Sequence, residues 1–418
     1  MSGSGSGMSG SGTTTGQGSN PPIIQRKPKS MLPLIAGVVV VIIVVLGLGI
    51  GGYSAGWFKT ASTSTTGSAG CTLPAQTSIV GTGSTLVAPL MDVWESFYWT
   101  GTVVNYNALG SSAGITAITG KTVDFGASDA PLNPAQRGAA AGVLEMPESA
   151  GGVVPIYNLP STVYGTGQTH LNFNGTVLAA IFDRSITNWN STALQALNPT
   201  AHLPNIGITP VHRSDGSGTT FIFTSFLSLD NQTWNQTWGK GTGWPTNISG
   251  EVGQAHNAGV AAYVVENADT IGYVDLNYAL TSGTPVGVGA VQNPKGAYIV
   301  ANVTDTASAL TDSNVHLPAG NGDWYNVSLL NAPGAGDYPI TSLTYLLFYQ
   351  NLSKAYSSYT LANAENLVDF LHWVVTTGQS YSKPLFYVPL PTSITLADDV
   401  TINSVTFDGA VIPVCVPT

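Results

Sequence analysis

Thr77-Ser-Ile-Val-Gly-Thr-Gly-Ser-Thr-Leu86 is the stretch from which the fold is read. A short β-branched run ends at glycines, and apolar residues then recur at Leu86, Leu90, Val93 and Phe97. That spacing of i, i+4, i+7 and i+11 lays one apolar stripe along a helix. Strand, glycine-rich turn and helix therefore follow in order. Further out, Val103-Val-Asn-Tyr, Val123-Asp-Phe-Gly-Ala, Val153-Val-Pro-Ile-Tyr and Ile271-Gly-Tyr-Val read as buried strands. Strands alternating with amphipathic helices predict an α/β fold with a parallel sheet. Ligands of such sheets sit at the C-terminal strand ends, where helix N-termini point.

Three small-residue turns each open a predicted helix: Gly81-Thr-Gly-Ser-Thr-Leu86, Gly110-Ser-Ser-Ala-Gly114, and Arg213-Ser-Asp-Gly-Ser-Gly-Thr219 before Phe221-Ile-Phe. Any one of them alone is an ordinary helix cap. Together they offer what a tetrahedral oxyanion needs. A helix N-terminus presents unpaired N–H groups and about half a positive charge. Glycine lets the backbone approach closely, and Ser or Thr adds a hydroxyl at the cap. Arginine adds a planar fork of donors.

Gly126-Ala-Ser-Asp-Ala-Pro131 follows a predicted strand and sets Asp129 at its end. Alone, such an aspartate reads as a turn or cap residue. In an anion site it repels the ligand unless the ligand brings a proton. Phosphate near neutral pH carries one or two protons and sulfate carries none. An aspartate acceptor therefore selects for the protonated oxyanion by leaving sulfate a repulsive, unpaired contact.

Longer strings then carry a resemblance. Gly81-Thr-Gly-Ser-Thr-Leu-Val-Ala-Pro89, Val123-Asp-Phe-Gly-Ala-Ser-Asp-Ala-Pro131 and Arg213-Ser-Asp-Gly-Ser-Gly-Thr219 are similar to the periplasmic phosphate-binding protein of the phosphate ABC transporter. Gly151-Gly-Val-Val, Ala268-Asp-Thr-Ile-Gly-Tyr-Val274 and Tyr338-Pro-Ile-Thr-Ser342 match in the same order, so the resemblance runs from about 80 to 418. It implies a type II binding-protein fold: two α/β lobes joined by a hinge, closing on the ligand. The crossings are expected near Gly152 and Tyr338. One lobe would comprise 76–152 and 337–418, the other 153–336.

Carried over residue by residue, the resemblance implies a phosphate site of Thr85, Leu86, Ser111, Asp129, Arg213, Asp215, Ser217, Gly218 and Thr219. Thr85 would donate its hydroxyl and backbone N–H, and Leu86, where the family often has Phe, a backbone N–H. Ser111 would donate from the second turn. Asp129 would accept the ligand proton. Arg213 would donate its fork, oriented by Asp215. Ser217, Gly218 and Thr219 would supply the third helix N-terminus. Ala113 stands where the family often has a second glycine, and His212 where relatives often have arginine. The resemblance further implies a permease and ATPase complex as partner, and no cofactor.

Ahead of this region, Met31 to Gly52 carries no charge, and Val38 to Leu46 is all Val, Ile and Leu. About 20 apolar residues span a bilayer core. Arg26, Lys27 and Lys29 precede it and Lys59 is the first charge after it, so the N-terminus is expected in the cytoplasm. A cleaved signal peptide would have a shorter apolar region. The expected order is a disordered tail over 1–30, a single transmembrane helix over 31–52 and a Ser/Thr-rich linker over 53–75.

An extracytoplasmic domain agrees with two further features. Cys71 and Cys415 flank the outer part and could bridge in an oxidising compartment; two free thiols are the alternative. Asn-x-Ser/Thr acceptors stand at Asn174, Asn190, Asn231, Asn235, Asn247, Asn302, Asn326 and Asn351, pointing to a glycosylated surface. Charged residues make up 8% of the chain, about a third of the usual share. With carboxylates protonated in an acidic habitat, ion pairs would contribute little, which would suit such a surface.

The formal charge of −10 argues against a nucleic-acid partner. It does not argue against an anion ligand, because charges beyond a Debye length of about 8 Å are screened. Rival readings are a binder or sensor of another oxyanion (sulfate, molybdate or arsenate) without a transporter, a phosphate-ester hydrolase, a metal protein and a structural surface protein. Asp215-Gly-Ser-Gly is not a Gly-x-Ser-x-Gly elbow, and no Cys-x-x-Cys or His-x-x-x-His spacing occurs.

Overall fold

The computed structural model describes residues 78–98, 102–281 and 286–415. The expected tail (1–30), transmembrane helix (31–52), linker (53–75) and Cys71 lie outside the described residues. Among the described residues no helix is long and apolar enough to cross a membrane.

The opening stretch folds as strand β1 (Ser78–Gly83) and helix α1 (Ala88–Phe97). Pro89 suits the first turn, where its missing N–H is not needed, and Leu90, Met91 and Trp94 bury the apolar face. Strand β2 (Val103–Asn107) leads to helix α2 (Ser111–Thr119), and strand β3 is Phe125–Ser128. β1 pairs in parallel with both β2 and β3.

Strand β4 (Val143–Tyr157) is buried throughout. After it come β5 (Thr209–Arg213), helix α3 (Gly218–Asp230), β6 (Val252–Gln254), helix α4 (His256–Glu266) and β7 (Thr270–Asp275). Strand β8 (Thr341–Tyr349) and helices α5 (Leu361–Val375) and α6 (Thr392–Ile402) complete the frame. The main sheet runs β2-β1-β3-β8-β4-β7-β5-β6, with Gly287–Val288 also on β4.

The sheet is mixed, which corrects the expectation of a parallel one. β8 is antiparallel to β3 and β4, and β4 is antiparallel to β7. The outer strands on each side remain parallel: β1 with β2 and β3, β5 with β6 and β7. The reason is β4. Its residues Val143–Gly152 pair with β8, and Val153–Tyr157 pair with β7. One strand thus serves both lobes of this curled sheet and changes partner between Gly152 and Val153. Beside that point Val153 N donates to Ile340 O (2.9 Å), and Tyr338 Oη donates to Val153 O (2.8 Å).

Each side has its own aromatic packing. Phe125 meets Phe370 at a ring separation of 5.5 Å on one side, and Phe223 stacks on Tyr273 at 4.3 Å on the other. Burying each such side chain contributes roughly 1.5–3 kcal/mol.

Candidate anion-binding site

The three turns occupy the C-terminal ends of β1, β2 and β5, and all three meet. Gly110 opens α2 with φ +98°, a left-handed value that favours glycine. A Cβ on it would lie 2.5 Å from Asp215 Oδ2, so the position also admits no side chain. The loop after β5 and a segment beyond α3 press against α2: Ser112 N donates to Gly216 O at 3.0 Å, and Ser112 Oγ to Thr242 Oγ1 at 3.1 Å.

Asp129 follows β3 and is 1% exposed. Ser84 Oγ donates to its Oδ1 at 2.5 Å, and Thr344 Oγ1 donates to the same oxygen at 2.9 Å. Ser111 Oγ approaches Oδ2 at 3.3 Å and accepts from Asp129 N at 3.1 Å. Burial pushes the Asp129 carboxyl up; the hydroxyls of Ser84 and Thr344, the Arg213 charge and Ser111 oppose that.

Arg213, at the end of β5, is also 1% exposed. Its Nε donates to Asp215 Oδ1 at 2.7 Å and its Nη2 to Oδ2 at 2.5 Å, a two-point clamp. Nη1 donates to Thr219 Oγ1 at 3.3 Å. Burial alone would raise the Asp215 carboxyl, but the bonds to Arg213 outweigh it and hold the group below its ordinary value. His256 N also donates to Asp215 Oδ1, at 2.9 Å.

Thr85 sits opposite. Asn257 Nδ2 donates to Thr85 Oγ1 at 3.2 Å and to Thr219 Oγ1 at 3.1 Å, tying the first turn to the third. Ser217 caps α3, its Oγ accepting from Thr220 N at 3.1 Å. Gly218 packs directly on Ser111 and Asp129. Thr85, Ser111, Asp129, Arg213, Ser217, Gly218 and Thr219 therefore gather in one buried region between the lobes. Leu86 is different: its N–H donates to Ser84 Oγ at 2.9 Å, within its own turn. Asp215 stands behind Arg213 rather than beside Asp129.

Sequence reasoning missed Ser84, Asn257 and Thr344. Ser84 lies inside the first turn, one residue before Thr85. Asn257 and Thr344 are brought in by α4 and β8, far along the chain, with no local motif. Among the described residues no His, Cys, Asp and Glu group is arranged to hold a metal. Hydroxyls, an arginine fork and one buried carboxyl can hold an anion that carries a proton.

The model for the PBP superfamily domain matches residues 61–377. The phosphate-binding protein PstS of Xylella fastidiosa (strain Temecula1) is 37% identical over 325 residues, 76% of this chain and 82% of its own. This chain belongs to the phosphate-binding protein PstS family. The phosphate-binding protein PstS of Methanocaldococcus jannaschii is 34% identical over 68% of this chain and 74% of its own. Among solved structures, a periplasmic phosphate-binding protein, PfluDING, aligns with a TM-score of 0.60 at 20% identity, covering 78% of this chain and 93% of that one. That likeness establishes the two-lobed fold.

Proposed function

We propose that this protein captures inorganic phosphate between its two lobes, on the outer side of the membrane, and delivers it to an ABC-type uptake transporter. It binds and does not catalyse; the relatives are named for binding phosphate. The observation that carries the reading is Asp129, a buried acceptor ringed by Ser84, Ser111 and Thr344, with Arg213 across the cleft contributing to its field. Phosphate brings the proton that this carboxyl can accept, and the fork of Arg213 meets the ligand's oxygens.

In this reading Thr85, Ser111, Asp129, Arg213, Ser217, Gly218 and Thr219 contact the ligand. Asp215 orients Arg213. Leu86 packs the first turn. The lobes are 76–152 with 337–418, and 153–336, hinged where β4 changes partner. The 31–52 span anchors the domain, 53–75 lifts it off the membrane and the Asn-x-Ser/Thr sites carry glycans. Cys415 is disulfide-bonded, and Cys71 is the chain's other cysteine.

Titration calorimetry on the detergent-solubilised chain tests the reading. Phosphate should bind tightly, arsenate should compete and sulfate should not. Sulfate binding with weak phosphate binding would overturn it.

A further inference from the structure

Behind Asp129 lies a buried carboxyl that the phosphate reading does not use. Glu148 is 0% exposed. It lies in β4 where the register with β8 shifts: Ser149 faces Thr344 and Pro147 faces Tyr345, so Glu148 is the extra, bulged residue. Bulges beside functional sites re-aim a side chain. Here Glu148 Oε1 comes within 3.1 Å of Thr344 Oγ1, whose other neighbour is Asp129 Oδ1 at 2.9 Å. Glu148 Oε2 has no hydrogen-bond partner among the described residues.

One hydroxyl hydrogen cannot serve two carboxylates. An ionised carboxylate only accepts, so with both groups charged one of the two contacts would be repulsive. A protonated Glu148 resolves this. Its O–H donates to Thr344 Oγ1, and the Thr344 hydroxyl then donates to Asp129. We propose that Glu148 is a positioning residue for the ligand's proton: held neutral, it turns the Thr344 hydroxyl onto Asp129 and keeps Asp129 an acceptor. This rests on the phosphate reading and adds its regulation by pH.

The surroundings favour the neutral form. Burial pushes the Glu148 carboxyl up to about 8, and the Asp129 charge adds to the rise. The other titratable groups acting on the pair are Tyr106 from β2, Asp275 and Tyr278 at and after the end of β7, Tyr345 from β8, and Tyr387; among the described residues Arg213 is the permanent cation acting on Asp129. When Glu148 ionises, the Thr344 hydroxyl turns toward it. Asp129 loses a donor and gains a negative neighbour. Phosphate then meets two buried charges instead of one. Affinity therefore falls as pH rises through the Glu148 titration.

The test compares phosphate calorimetry of the full chain with that of Glu148→Gln from pH 6 to pH 9, in buffers of different ionisation heat. Phosphate's own titration is common to both and cancels in the ratio. The wild-type to variant affinity ratio should drop with rising pH, by up to about tenfold per pH unit at the steepest. Near pH 8 the wild type should take up more protons on binding than the variant. A constant ratio with equal proton uptake would overturn the proposal. Should Glu148→Gln fail to fold, Thr344→Ser should keep the pH slope and Thr344→Val should flatten it, and equal slopes would overturn it. A wild type that binds no phosphate at any pH defeats the functional reading itself, a result distinct from phosphate binding without the slope.

Discussion

Gly218 stands against Asp129 with no space for a side chain between them. A Cβ on Gly218 would lie 2.6 Å from both Cβ and Oδ2 of Asp129, and 2.5 Å from Ser111 Oγ. Gly218 opens α3 and Asp129 follows β3, so the contact joins the two lobes. Gly218→Ala should leave each lobe folded, since alanine favours a helix. It should oppose closure, at the roughly 1–3 kcal/mol typical of overpacking. Phosphate affinity should fall about 10- to 100-fold with little change in ligand-free melting temperature. Unchanged affinity would show that the contact is not part of the bound state.

Asp129→Asn tests the selectivity argument. The amide cannot accept the ligand proton as a carboxylate does, and it no longer repels an unprotonated oxyanion. Phosphate should weaken and sulfate should gain, each by about 1–3 kcal/mol, the range for a buried group that loses or gains its partner. Calorimetric competition between the two anions reads the result. Undiminished preference for phosphate would sink the acceptor role.

Arg213→Ala removes the fork and strands Asp215, which then adds unpaired negative charge near the ligand. Breaking a buried pair from one side costs about 3–5 kcal/mol. Phosphate binding should be nearly lost, and the melting temperature should fall. Arg213→Ala combined with Asp215→Asn should recover stability but not affinity, because the charge is relieved while the donors stay missing. Recovery of affinity as well would show that Arg213 acts only on its neighbour.

The strand–turn–helix order was legible because Gly81, Gly83 and the Leu86–Phe97 stripe are local signals. So were Asp129 and Arg213, each at a strand end within a recognisable string. The direction of the central strands was not. Only Val153–Tyr157 was expected as a strand, whereas β4 begins at Val143, ahead of Pro147 and Gly151-Gly152. Proline lacks a ladder donor, and here it is accommodated at the bulge opposite Tyr345. The roles of Asn257, Thr344 and Glu148 depend on pairings between segments 172 to 215 residues apart. Asn257 reaches Thr85 across 172 positions, and Thr344 reaches Asp129 across 215. No window of sequence holds both partners.

Burial pushes several carboxyls up: Asp398 to about 9, and Glu95, Glu145 and Glu251 to about 7. For Asp398 the charge of Asp399 adds to burial, and its Oδ2 has no hydrogen-bond partner among the described residues. A carboxyl raised in the folded state binds protons that the unfolded chain has already released. Its contribution to stability is fully present below the unfolded value, near 4, and is lost as pH rises through the folded value. The protein should therefore melt higher at pH 5 than at pH 9, with the slope steepest up to about pH 7, where all four groups contribute, and carried on toward pH 9 by Asp398. Asp398→Asn should flatten the upper part of that slope, because the amide stays neutral. Calorimetric melts at matched ionic strength decide it, at about 2–4 °C per kcal/mol for domains of 150–250 residues. Melting that rises from pH 5 to pH 9 would mean that these carboxyls are ionised in the folded chain, and that its surface owes nothing to an acidic habitat.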